Sequence, residues 1–160
     1  MDLPPKKYPD SYWANKRTLD NDDEISEWAL HDFNNWNSYP FEKYKAWLQS
    51  CRHLFADDFE MITPGGVIKG YDSYIALIEM YFRAFSELHI EVIDFFVKGN
   101  MLAVHYVLSG KHTGEFMGNP PTNKIFNMRA VEIFRFENGK YSKGVSMSDT
   151  LSFMQQLGIM

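Results

Sequence analysis

The chain has a single cysteine, Cys51, in 160 residues, so no internal disulfide can form and a reducing compartment is expected. It also lacks an excess of basic charge: 16 Lys and Arg stand against 21 Asp and Glu, for a formal net charge of -5. No block of cations exists to neutralise phosphates, which sets nucleic acid aside as a partner. Apolar runs are short, and none approaches the roughly 18 residues that a membrane span needs. The opening residues, MDLPPKKYPDSYW, carry no apolar leader core. Together these absences point to a cytoplasmic protein with no membrane partner. No metal site is expected either, because His31, His53, His89, His105 and His112 include no i,i+4 ligand pair and no cysteine cluster. The glycines between Gly110 and Gly118 lack the following helix and lysine of a phosphate-cradling loop.

What the chain does hold is apolar bulk. Hydrophobic residues make up 45% and aromatics 16%, with 9 methionines, enough for a core and for an adaptable apolar cavity. The length fits one domain with room for an appended segment. Residues 1–40 read as that segment: a Pro- and Lys-rich arm with Tyr8, Tyr12 and Trp13, then an extra helix that starts at the acidic run Asp22-Asp23-Glu24. Ile25, Trp28, Ala29, Asp32, Phe33 and Trp36 give that helix its three-to-four spacing. Three aromatic rings on the arm predict that it lies against its own domain or a neighbouring copy.

Residues 41–160 read as an α+β domain. A helix is predicted from Phe41 to Phe55, a short strand from Phe59 to Thr63, and a helix capped by Asp72 that runs to Phe85. The period then changes from helical to two. Strands are predicted over 88–97, 101–112, 124–136 and 141–147, with hairpin turns at Gly99-Asn100 and Asn138-Gly139. Asp149 opens a final short helix, stopped by Gly158. Helices first and an antiparallel meander second imply a cone-shaped, strongly bent antiparallel sheet packed on helices, whose mouth forms a pocket.

The stretch from His105 to Thr122 organises the domain. It begins as an alternating strand, passes Gly110, Gly114 and Gly118, and stops at Pro120-Pro121, which no strand ladder can cross. Glycines let the strand curl, bringing Phe116 and Met117 over a concavity. Phe59, Met61, Tyr81, Phe85, Phe134 and Met147 are further candidates for an apolar lining, each also at home in a plain core. Glu132 and Arg135 must sit on opposite faces of one strand. If Glu132 points inward it is a candidate general base; if Arg135 does, it could bind a carboxylate or an enolate. His112 could donate to an oxyanion or hold the glycine–proline loop in place. His105, another candidate contact, has the opposite parity, so the two histidines do not act as a pair.

The run Gly110-Lys111-His112-Thr113-Gly114-Glu115-Phe116-Met117-Gly118, followed by Pro120-Pro121-Thr122, resembles the SnoaL-like polyketide (ester) cyclase family. Tyr81-Phe82-Arg83-Ala84-Phe85, Gly99, Arg135-Phe136, Asn138-Gly139-Lys140, Asp149 and Gln155-Gln156-Leu157-Gly158 extend the likeness over roughly half the chain. The resemblance implies the nuclear-transport-factor-two-like fold and cofactor-independent intramolecular aldol closure, or a related isomerase or lyase reaction, on a small apolar carbonyl substrate. It implies Asp149 as the general acid and base, and a homodimer is expected from the open sheet face and the aromatic arm. Asp149 has a second reading as an ordinary helix N-cap, and a ligand-binding or dimerisation domain without catalysis is the alternative for the whole chain. Lys143-Gly144-Val145 replaces the family's usual Glu-His-Trp near the presumed acid.

Overall fold

The structure is a computed structural model that describes all 160 residues. Its elements follow the order α1 (Asp10–Asn15), α2 (Asp22–Ser38), α3 (Phe41–Ser50), β1 (Phe55–Thr63), β2 (Gly66–Lys69), α4 (Tyr71–Ala84), β3 (Phe85–Lys98), β4 (Met101–His112), β5 (Ile125–Glu137), β6 (Lys140–Ser148) and α5 (Thr150–Leu157). One six-stranded sheet has the order β2-β1-β6-β5-β4-β3. The predicted meander from β3 to β6 is antiparallel throughout, while β1 joins its edge in parallel with β6. Register shifts in β3, between Ser86 and His89 and again between Val92 and Asp94, mark bulges, which bend a strand and increase its twist. The sheet curves, and the helices fill its concave side.

Period-two alternation decides which side chains enter that concavity. On β5, Phe126, Met128, Ala130 and Phe134 are buried while Arg129, Val131, Ile133 and Arg135 are exposed. Cross-strand pairing carries the same parity to β4 and β6.

Several predicted boundaries move for identifiable reasons. The helix predicted to Phe55 stops at Ser50, passes through one turn over Arg52–Leu54, and gives Phe55 to β1, where it pairs with Tyr141. Sheet pairing and the Phe55–Tyr141 ring stack at 4.6 Å outweigh the helical spacing. The strand β2, hidden by the turn at Pro64-Gly65, pairs with β1 at the sheet edge. Helix α4 begins at Tyr71 after Gly70, whose φ of 83° suits glycine, so Asp72 is not its cap and instead meets Arg52 at 2.8 Å. Asn21 caps α2 by accepting from the Glu24 amide at 2.9 Å.

The N-terminal arm is docked. Trp13 and Leu19 are buried in the same core as the sheet, and Trp13 packs edge-on against Trp28 of α2, which stacks on Trp47 of α3. The Trp28 indole N–H donates to the Tyr141 hydroxyl at 2.6 Å, tying α2 to β6. Asp10 fixes the arm further: it accepts from the Tyr39 hydroxyl at 2.6 Å and the Asn35 amide at 3.2 Å, and lies 2.6 Å from His31 Nε2. No helix is long and apolar enough to cross a membrane.

Candidate active site

Between the concave face of the sheet and helices α2, α3, α4 and α5 lies an open-mouthed cavity of about 370 Å³, in the range of small-molecule sites. Its wall is mostly apolar, rich in aromatic residues and methionine, and no Lys or Arg lines it. Two carboxylic acids do: Asp32 from α2 and Glu132 from β5.

Glu132 enters because β5 alternates and its even positions face inward. It lies opposite Ser146 on β6 and Val104 on β4. Burial raises its pKa, and the hydroxyls of Ser146 and Tyr106, which favour the charged form, only partly offset this. Its remaining accessible surface is cavity wall rather than bulk water. Arg135, three residues on, projects from the opposite face and is exposed. The parity question posed by the sequence resolves with the acid inside and the cation outside.

Asp32 arrives from a helix. It lies four residues from both Trp28 and Trp36 on the apolar stripe of α2, and Tyr44 of α3 donates to its Oδ1 at 2.8 Å. Burial pushes its carboxyl up to about 7; the Tyr44 hydrogen bond pulls down against that, and the charge on Glu132 adds to the rise. This residue was not among the sequence-derived site candidates. The available signal was an acid inside an otherwise apolar helix face, which a solvent-facing aspartate would not occupy.

Of the sequence candidates, Met61, Tyr81, Phe116, Met117 and Glu132 line the cavity. Phe116 is buried, while Met117 stands 71% exposed at the mouth. Phe59, Phe85 and Phe134 are buried in the core behind the wall. Phe85 packs against His112, Phe116, Phe126 and Phe153, and Phe134 against Phe59 and Tyr141. Met147 and His105 belong to the outer face. There His105 lies 3.1 Å from Asp94 and 3.2 Å from Arg129.

His112 is inward but sealed from the cavity. Its Nδ1 accepts from the Thr122 amide at 3.3 Å and lies 3.0 Å from the Thr122 hydroxyl, while Nε2 has no partner. It therefore pins the segment after Pro120-Pro121 to the end of β4. The same loop is held at Gly114, whose N–H donates to Ala84 at 2.9 Å. A Cβ there would collide with the Arg83 carbonyl oxygen, so only glycine permits the close approach.

Asp149 is exposed and does not line the cavity, although Ser148 and Thr150 on either side of it do. Its Oδ1 accepts from the Ser152 amide at 3.1 Å, capping α5. The structure therefore gives Asp149 the N-cap contact and places the inward acids elsewhere. Nor is the Gly144 position an open gap. Phe134 lies opposite it in the β5–β6 register, and a Cβ on Gly144 would come within 2.6 Å of the Phe134 ring. The aromatic ring fills the space that a side chain at position 144 would need.

The model of the SnoaL-like polyketide cyclase family matches residues 42–157. The chain belongs to this family. Among curated relatives it is 28% identical over 105 residues to an aklanonic acid methyl ester cyclase of Streptomyces peucetius, covering 62% of this chain and 72% of that one. A nogalonic acid methyl ester cyclase of Streptomyces nogalater is 28% identical over 94 residues, covering 58% and 70%. The structure of a SnoaL-like protein from Jannaschia sp. CCS1 superposes with a TM-score of 0.74 at 22% identity, covering 87% of this chain and 94% of that one. A protein of ketosteroid isomerase-like fold from Catenulispora acidiphila gives 0.62 at 13% identity, covering 85% and 92%. These two likenesses show a shared fold. Asp32 lies outside the matched span, and Glu132 inside it.

Proposed function

We propose that this SnoaL-like protein catalyses cofactor-free acid/base chemistry, an intramolecular closure or a related isomerisation, on a small apolar carbonyl compound, with Glu132 as the general base. The observation that carries the reading is a carboxyl placed in an apolar cavity where burial raises its pKa. A base of this kind is brought closer to working pH, where it removes a proton from a carbon already acidified by neighbouring carbonyls. Aklanonic acid methyl ester, the compound named for the Streptomyces relatives, is the first substrate to assay. Glu132→Gln keeps the shape and removes the base, so turnover should fall at least about a hundredfold. Retained turnover in that variant would eliminate Glu132 from the chemistry.

The assembly we propose is a homodimer through the convex sheet face. Ile62, Val131, Ile133, Val145 and Met147 are each more than a third exposed there, on three adjacent strands whose register brings them side by side. A contiguous apolar patch of this kind favours association. Ile133→Lys should shift the sedimentation profile toward monomer; an unchanged profile would argue for a monomeric protein.

A further inference from the structure

We propose that Asp32, carried on α2 outside the family-matched span, is a second catalytic acid: a neutral carboxyl that donates its proton to the substrate carbonyl oxygen while Glu132 takes the proton from carbon. This rests on the acid/base reading of the cavity and assigns its second half.

The geometry leaves Asp32 one free oxygen. Oδ1 is taken by the Tyr44 hydroxyl; Oδ2 makes no hydrogen bond within the protein and is not sealed off. The groups around it hold no positive charge. Tyr44 and Tyr141 are buried and Tyr74 is half-buried, and all three have pKa values pushed well above 10. Burial pushes Cys51 up to about 12 and raises Tyr71 as well, so all five are neutral at pH 7. Glu132 is the one other acid on the cavity wall. Two carboxyls facing one apolar space without a counter-ion do not both ionise readily, so one keeps its proton. Asp32, with burial and the Glu132 charge acting together, is the one that keeps it.

The steps balance without a co-reactant. The Glu132 carboxylate removes a proton from the carbon beside the carbonyl, and that C–H electron pair forms the enol double bond. The carbonyl π pair moves to oxygen, which takes the Asp32 proton. In the return half, the enol carbon forms a bond to a second carbonyl carbon of the same molecule. The enol proton goes back to Asp32, and the new alkoxide takes its proton from Glu132. Both acids end as they began. The substrate has gained a C–C bond and lost nothing, as an aldol closure requires.

The test uses the full-length protein and two readouts that need no turnover. Infrared difference spectra between pH 5.5 and about 8.5, bracketing the titration, should show a protonated-carboxyl band that fades near pH 7. That band should be missing in Asp32→Asn. In Glu132→Gln it should persist, fading at lower pH because the neighbouring charge is gone. The second readout is binding of 2-naphthol, an aromatic enol that fits an apolar cavity, followed by its fluorescence. Asp32→Ala should weaken binding about tenfold or more below pH 7, whereas Asp32→Asn, which keeps a donor, should stay within about threefold and lose the pH dependence. A band that survives in Asp32→Asn, or naphthol binding that is independent of pH in wild type, would overturn the proposal. Failure of Glu132→Gln to reduce turnover would sink the base assignment while leaving both of these results standing, so the two ideas fail separately.

Discussion

Tyr44 donates a 2.8 Å hydrogen bond to Asp32 across the α2–α3 contact, so the one hydrogen-bonding partner of this cavity acid's side chain comes from the next helix. That single bond favours the ionised form but does not outweigh burial, which sets the carboxyl near 7. The native state therefore holds this proton more tightly than the unfolded chain, whose aspartate titrates near 3.9. Stability from this group is fully present below about pH 4 and is lost as pH rises through 7. Asp32→Asn removes the ionisation, so at pH 8 it should raise unfolding stability by up to about 4 kcal/mol, and at pH 4 by close to nothing. Urea melts of wild type and variant across that range check it. Parallel curves would mean that Asp32 is not buried in its neutral form.

Removal of the Tyr44 hydroxyl acts on the same group from the other side. Tyr44→Phe takes away the donor that favours the charged carboxylate, so the Asp32 titration should move to higher pH. Infrared or NMR titration of the side-chain carboxyl reads this directly. A shift to lower pH would show that Tyr44 does not donate to Asp32.

Asp149 should behave as a cap. From an exposed position its side chain accepts the Ser152 amide at 3.1 Å. Asp149→Ala should cost about 1 kcal/mol of stability and leave the pH dependence of turnover unchanged, as measured by denaturation and by pH–rate profiles. Loss of activity without loss of stability would return the acid/base role to Asp149.

The meander was legible because alternation and two hairpin turns are local signals: β4, β5 and β6 lie within a residue or two of their predicted ends. Parity also told that Glu132 and Arg135 face opposite ways, but not which way. That depends on the register with β4 and β6, set by contacts distant in sequence. The parallel pairing of β1 with β6 has the same origin and no local signature. Asp32 sat in plain view between Trp28 and Trp36, yet an acid on an apolar stripe acquires meaning only once a cavity is known to open beside it. Asp149 shows the converse. Its residue type and position fit both a cap and a base, and only its exposure separates them.

The docked arm makes a prediction about acid. Burial pushes the Asp10 carboxyl up, but hydrogen bonds from Tyr39, His31 and Asn35 and the Lys6 charge override it and hold the group well below the usual carboxylate range. A depressed folded-state pKa contributes stability above about pH 4, lost as pH falls further. Asp10→Asn should therefore lower stability by about 2 kcal/mol at pH 7 and flatten the acid limb of the pH–stability curve. Limited proteolysis should cut the first 20 residues faster in the variant. Equal rates of cleavage would show that Trp13 and Leu19, both buried, hold the arm without this network.

Gly144 offers a test of how tightly the sheet's inner face is filled. An added Cβ would stand 2.6 Å from the Phe134 ring and 3.3 Å from Met61 Cγ, closer than side chains pack without displacement. Gly144→Ala should cost about 1–3 kcal/mol by overpacking, measured as a fall in the urea midpoint. Phe134→Leu removes the ring that the new methyl strikes, so the double variant should cost clearly less than the sum of the two single changes. Additive costs would show that Phe134 does not occupy the space over Gly144. The same double variant bears on the cavity, because Met61 is part of its wall: a methyl that forces Met61 aside should weaken 2-naphthol binding in Gly144→Ala, and relief by Phe134→Leu should restore it.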